Sequence, residues 1–294
     1  MSIKEYLKSQ TAIVDAALDR LVSGELVEPV NIHRAMRYSL FAGGKRVRPI
    51  LCIAASDCIL PSAAGVEDAA SSLELIHTYS LIHDDLPALD NDDLRRGRPT
   101  SHKVFGEAMA ILAGDALLTL AFEVLSSLTQ VDDACKVALI RELSTASGTV
   151  GGMIGGQVHD IEGEGLAPTA ALLERIHRAK TGALLRASVR MGAIYAGATP
   201  EQYQALSRFG EHIGLAFQIV DDILDVTQSS EALGKTAGKD AAQHKITFPA
   251  VYGLETSAKM AEQERLAAHA ALEQFGEGAI HLRELADLIV QRSA

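Results

Sequence analysis

Two short stretches carry acids at spacings that suit metal chemistry. The first, HTYSLIHDDLPALDNDDLRR, runs from His77 to Arg96 and holds Asp84, Asp85 and Asp90, with Arg95 and Arg96 directly behind. The second, FQIVDDILD, holds Asp221, Asp222 and Asp225. On a helix, Gln218, Asp221, Asp222 and Asp225 stand at i, i+3, i+4 and i+7, which is one face. Ile213, Ala216, Val220, Ile223 and Leu224 fill the other faces, so this acidic strip belongs to a helix that should be buried. Two carboxylates about 4 Å apart repel by roughly 4 kcal/mol at an effective dielectric of 20. A divalent cation removes that cost, and aspartate oxygens suit Mg2+, which takes few protein ligands and completes its shell with phosphate and water. Asp84 and Asp85 are costly for a second reason. They close a helix just before Pro87, where the helix dipole disfavours acids by about 0.3–1 kcal/mol each.

Cations that could hold an anion occur at several points. GGKRVRP places Lys45, Arg46 and Arg48 after a Gly-Gly helix stop, a flexible backbone followed by fixed charge. His77 lies two helical turns before Asp84 on the same face. Lys180 and Thr181 sit in the apolar stretch HRAKTGALL, and Lys235, Lys239 and Lys245 in LGKTAGKDAAQHKITFP. Each of these alone is an ordinary surface charge or core histidine; together with two acid clusters they describe metal ions held against a diphosphate.

The elements that must position these groups are helical. Tyr6, Leu7, Ile13, Val14, Ala17, Leu18 and Leu21 form one stripe behind a Ser2–Glu5 capping box. Further helices are expected from Asn31 to Gly43-Gly44, Pro49 to Ile59, Val66 to Leu86, Val104 to Leu128 and Asp132 to Gly152. Others follow at Thr169–Gly197, Glu201–Val226, His244–Leu254, Ala258–Phe275 and His281–Arg292. Asp90 to Pro99 reads as a loop, and the Gly-rich GTVGGMIGGQVHDIEG as a place of close helix packing. Aromatics are 4%, Trp is absent, and no Asn-Gly or Asp-Gly hairpin dipeptide occurs, so strands are not expected. No repeat or linker divides the 294 residues, which predicts one all-α domain over 1–294.

Composition sets the outer limits. The net charge of −11 argues against a nucleic-acid partner. Cys52, Cys58 and Cys135 fit no metal motif and read as reduced buried thiols. The N-terminus lacks the apolar block of a signal peptide and no run approaches 18 apolar residues, so the expectation is a cytoplasmic protein with no stable membrane anchor.

GGKRVRP, LIHDDLPALDNDDLRRGRPT, GGQVHD, KTGALL, FQIVDDILD and GKDAAQHKITFP occur in this order over nearly the whole chain. The set closely resembles the all-trans isoprenyl diphosphate synthases, most of all their bacterial farnesyl type. The resemblance implies a helical bundle of isoprenoid synthase type around a deep central cavity, as a homodimer. It implies Mg2+, three ions per site with Mn2+ able to substitute, bound by Asp84, Asp85 and Asp90 and by Asp221, Asp222 and Asp225. Arg95, Lys180, Lys235 and Lys245 would hold the allylic diphosphate, dimethylallyl or geranyl, with Lys235 and Lys239 in a closing loop. Lys45, Arg48, His77 and Arg96 would hold isopentenyl diphosphate. Gln157, Asp160, Lys180, Thr181 and Gln218 would line the reacting centre. The implied reaction ionises the allylic substrate, condenses it with isopentenyl diphosphate and eliminates a proton, giving (2E,6E)-farnesyl diphosphate and diphosphate. Tyr79 and Ser80, just before Asp84, match the farnesyl type, with Tyr79 as a floor for the growing tail. The alternatives are a geranylgeranyl diphosphate synthase with the same chemistry and, from another class, an HD-type metal phosphohydrolase suggested by His83-Asp84 and His159-Asp160. The hydrolase reading leaves Asp221–Asp225 and the cations without a role.

Overall fold

A computed structural model describes residues 2–167, 169–227 and 246–291. Backbone contacts divide the chain into two compact units: residues 1–53 with 64–140, and residues 54–63 with 141–294. Among the described residues the only strands are two of two residues each; everything else regular is helical, as the sequence predicts.

The first unit is built on α4 (Val66–Asp84), which is buried on nearly every face. It packs along α6 (Glu107–Ser126) and against α1 (Ile3–Leu21) and α2 (Val30–Leu40), with α3 (Val47–Asp57) following α2. A helix wrapped by other helices needs no polar face, so α4 lacks the amphipathic stripe of a surface helix. The Ser2–Glu5 capping box of α1 is present as predicted: Glu5 N–H donates to Ser2 Oγ at 3.3 Å and Ser2 N–H to Glu5 Oε2 at 2.8 Å. α2 starts at Val30, one residue before the expected Asn31, with Pro29 in the cap position.

Two other departures have local causes. The expected 90–99 loop contains a minimal hairpin, β1 (Leu94–Arg95) and β2 (Arg98–Pro99), paired Arg95 with Arg98. Arg96 and Gly97 at its tip both have positive φ, 54° and 74°, the signature of a tight turn that matches strand twist. The expected helix over 104–128 is broken at Gly106 (φ 83°) into α5 (Ser101–Phe105) and α6. α6 also departs from the expectation of no membrane-length helix: by length and composition alone it could cross a membrane. It carries Asp115 and Glu123 and packs one side along α4.

The second unit centres on α11 (Pro200–Thr227). α10 (Ala183–Tyr195), α13 (Leu254–Ala271) and α14 (Ile280–Val290) pack on it. Phe209, Ile213, Ala216 and Ile219 of α11 are fully buried. α8 (Met153–Gly163), α9 (Ala170–His177), α12 (Phe248–Tyr252) and a 3-10 helix, Glu273–Ala279, also belong to this unit, and α7 (Asp133–Ser147) begins in the first unit and ends in the second. The helix expected across 169–197 is not continuous: a π-helical turn, Arg178–Gly182, joins α9 to α10.

Candidate active site

In the first unit the acids stand where α4 ends. Asp85 is 3% exposed, and Arg95 Nε donates to both its oxygens, at 2.8 and 2.9 Å, while Nη2 lies 2.6 Å from Oδ1. The hairpin makes this possible, because the turn at Arg96-Gly97 holds β1 and so brings Arg95 back to the helix end. Thr100 Oγ1 donates to the Asp92 carbonyl at 2.8 Å, and Asp90 N–H to the Asp84 carbonyl at 2.8 Å, so the loop is fastened at both ends. Burial raises the pKa of Asp85, with Asp92 and Asp90 adding to it and Arg95 opposing. A cation brought to these acids would relieve the same repulsion.

The basic groups of this unit gather around His77. Burial first, then the Arg48, Arg96, Arg95 and Arg46 guanidiniums, hold its imidazole well below the ordinary histidine range. Burial and its neighbours Arg46 and Arg95 likewise lower Arg96. Such a concentration of positive charge around a neutral imidazole is ready for a multiply charged anion. Arg46 differs from its neighbours in GGKRVRP. It is 3% exposed and committed to Asp15 (2.8 Å), Glu74 (2.7 Å) and the Leu40 carbonyl (2.8 Å), and so fastens α1, α2 and α4 together. Arg96 donates to the Gly43 carbonyl, and a Cβ on Gly44 would stand 2.7 Å from its Nη1. The Gly-Gly pair therefore admits a guanidinium as well as ending a helix.

Tyr79 and Ser80 take different places. Tyr79 is 5% exposed, its ring is edge-on to His83 at 5.7 Å, and its hydroxyl has no hydrogen-bond partner among the described residues. His83 in turn reaches the Ile111 carbonyl of α6 at 3.0 Å. Tyr79 thus follows the α6 side of α4, about 140° around the helix from Asp84. Ser80 is half-buried, one turn from Asp84 on the strip with His77 and Leu81.

In the second unit, Lys180 and Thr181 lie in the π turn. Lys180 Nζ is 2.6 Å from Asp160 Oδ2 on α8. The helices close on this turn through glycines: a Cβ on Gly156 would come within 2.2 Å of Lys180 N, and one on Gly214 within 3.0 Å of Gly182 Cα. π turns cost hydrogen-bond geometry and recur at functional sites. On α11, Asp222 is 3% exposed and turned inward. Its Oδ1 accepts from Gln218 Nε2 at 2.8 Å and its Oδ2 from Phe248 N–H at 2.9 Å. Asp225 is also buried, and Asp221, Gln157 and Thr181 are half-buried. Sequence reasoning missed His177, which is buried 3.3 Å from Asp222; it reads in sequence only as a histidine on an apolar helix.

The candidate residues therefore fall into two groups. Lys45, Arg48, His77, Tyr79, Ser80, Asp84, Asp85, Asp90, Arg95 and Arg96 belong to the first unit; Gln157, Asp160, Lys180, Thr181, Gln218, Asp221, Asp222 and Asp225 to the second. Lys235, Lys239 and Lys245 lie outside the described residues. Among the described residues no three His, Cys, Asp or Glu side chains converge on one metal position. Carboxylate sets that each offer a partial shell fit a hard cation that takes its remaining ligands from phosphate and water.

The sequence profile of the polyprenyl synthetase family matches residues 29–282, across both units. This chain belongs to that family. As a polyprenyl synthetase it is a prenyltransferase of the isoprenyl diphosphate synthase type. It is 53% identical over 264 residues to the heterodimeric geranylgeranyl pyrophosphate synthase large subunit 1, chloroplastic, of Arabidopsis thaliana, covering 88% of this chain and 70% of the relative. It is 48% identical to the chloroplastic geranylgeranyl pyrophosphate synthase of Catharanthus roseus, over 98% of this chain and 81% of the relative. Among solved structures, a FPP/GFPP synthase from Zymomonas mobilis superposes with a TM-score of 0.86 at 36% identity, covering 98% of both chains. The geranylgeranyl pyrophosphate synthetase of Pyrococcus horikoshii does so with a TM-score of 0.89 at 29% identity, over 99% of this chain and 98% of that one.

Proposed function

We propose that this prenyltransferase is a geranylgeranyl diphosphate synthase, extending allylic diphosphates with isopentenyl diphosphate to a twenty-carbon product. The observation that carries this reading is the pair at the end of α4. The residue one turn beneath Asp84 on the half-exposed strip is Ser80, whose small side chain leaves room for a longer tail. The large Tyr79 ring is turned aside against His83. The names of relatives 48–53% identical to this chain support the same product over the fifteen-carbon one that Tyr79 suggests in sequence.

The residues divide the work. Arg48, Arg96 and Lys45 take the diphosphate of isopentenyl diphosphate by charge, with the His77 imidazole beside them as a neutral hydrogen-bonding group. Arg95 and Lys180 bind and orient the allylic diphosphate, each already held by a carboxylate, so little side-chain freedom is lost on binding. Arg95 keeps its Nη1 donors outside the Asp85 contact. The aspartates of both sets hold Mg2+, which supplies positive charge for the departing diphosphate. Thr181 and Gln218 present oxygens to the electron-poor allylic carbon. Lys235 and Lys245 complete the diphosphate contacts, with Lys239 beside them.

Two further proposals concern the assembly. The protein works as a homodimer, supported by the apolar face of α6, where Ile111 is 43% and Leu112 53% exposed. It works as one polyprenyl synthetase domain, supported by a family match that runs from residue 29 to residue 282, and its place is the cytoplasm.

The deciding experiment is the product profile. With Mg2+, isopentenyl diphosphate and dimethylallyl or farnesyl diphosphate, the expected product by mass is geranylgeranyl diphosphate. Tyr79→Ala should leave it unchanged and Ser80→Phe should shorten it to fifteen carbons. Farnesyl diphosphate as the wild-type end product, lengthened by Tyr79→Ala, would return the assignment to a farnesyl synthase.

A further inference from the structure

His177 is the last residue of α9, and the π turn carrying Lys180 and Thr181 begins at the next residue. It is 6% exposed. Its ring stacks on Phe248, with centroids 5.3 Å apart and planes 23° from parallel. Its Nε2 lies 3.3 Å from Asp222 Oδ2, the same oxygen that accepts from the Phe248 backbone N–H. The other oxygen of Asp222 is held by Gln218. Around this knot the surroundings are apolar: Leu173, Ile219, Val220, Ile246 and Phe248 form one buried cluster.

Three segments are tied together at this carboxylate. α9 and its π turn supply the imidazole, α11 supplies Asp222 and Gln218, and α12 supplies the Phe248 N–H and the stacked ring. A buried carboxylate is costly unless its oxygens are matched. Gln218 and the Phe248 N–H match the oxygens of Asp222, while His177 Nε2 stands against Oδ2 at 3.3 Å with no hydrogen-bond partner among the described residues, and its position in the chain connects Asp222 to Lys180 and Thr181.

We infer that His177 is a positioning residue for the second acid set and the π turn, acting through Asp222 rather than touching substrate. This rests on the reading that Asp221–Asp225 hold Mg2+ with the allylic diphosphate. Groups that orient a metal's ligands cost about 10–100-fold in metal affinity or activity when removed. His177→Phe keeps a flat ring against Phe248 and removes the nitrogen facing Asp222. Its effect should fall on the Mg2+ dependence and on the KM for the allylic substrate. The KM for isopentenyl diphosphate, assigned to the first unit, should stay unchanged.

The test compares wild type, His177→Phe and His177→Gln. Two readouts are used: steady-state kinetics over a Mg2+ series, and the Mg2+-dependent rise in melting temperature with inorganic diphosphate. His177→Phe should need about tenfold more Mg2+ in both readouts, and His177→Gln, which returns a polar nitrogen to the place facing Asp222, should recover most of the difference. A wild-type Mg2+ series for His177→Phe overturns the inference. So does a drop in melting temperature shared by both variants with kinetics unchanged, since that is what a purely structural histidine would give. If wild type itself shows no Mg2+-dependent shift, the metal reading fails first. Should His177→Phe not fold, Phe248→Leu carries the test. It removes the stacked ring and leaves the imidazole, and should raise the Mg2+ requirement; an unchanged requirement overturns the inference.

Discussion

His77 and Asp85 show how charge is arranged before any ligand arrives. His77 is neutral because burial and four guanidiniums disfavour its proton. A group whose folded value is depressed contributes stability above its unfolded value, about 6.5, and that contribution is lost as pH falls through the folded value. An anion among the guanidiniums reverses the local field. A proton NMR titration should place the His77 midpoint below 6.5 in the free protein, and inorganic diphosphate should move it upward. No movement would mean the anion binds elsewhere. At the same scale the two acid pairs share a design. The second member of each, Asp85 and Asp222, is buried and held by protein donors: an arginine for one, an amide and a backbone N–H for the other.

At the scale of elements, glycines decide how near the helices come to the chemistry. Gly156→Ala would drive a Cβ into the backbone of Lys180, where no side-chain movement can relieve it. We expect a loss of roughly 1–3 kcal/mol in urea denaturation. The turnover number should fall more than in a glycine substitution away from the π turn, such as Gly24→Ala, which has open space. Much of this scale was legible in the sequence. Gly43-Gly44, Pro87 and the i, i+3, i+4, i+7 strip of α11 announce helix ends and an acidic face. The π turn was not, because KTG reads as plain helix and only the i to i+5 bonding pattern reveals the extra residue. Asp222 looked like an equal of Asp221 because its partner, Phe248 N–H, lies 26 residues downstream. Arg46 and Arg48 share one motif, yet only folding shows that Arg46 is spent on Asp15 and Glu74. The Arg96-Gly97 turn escaped because arginine is seldom found at positive φ.

At the scale of the whole molecule, α6 leaves apolar side chains uncovered on a helix whose other side packs on α4. In the proposed homodimer this face is covered by a second copy. Leu112→Glu should then shift the sedimentation coefficient from dimer to monomer and lower activity. A dimer that survives the substitution would move the interface elsewhere.

The carboxylate tethers on Arg95 and Lys180 have a consequence for how substrate arrives. The molecule carries a net charge of −11, and two of the cations proposed to hold diphosphate face inward acids at 2.6 Å. From a distance such couples are close to neutral, and beyond about 8 Å salt screens what field remains. These two couples therefore do not draw an allylic diphosphate in from afar; it must come close by diffusion before they attract it. Capture through them should be slow by the standard of electrostatically steered partners, while selectivity is exerted at contact by the Arg95 and Lys180 donors that lie outside the carboxylate contacts.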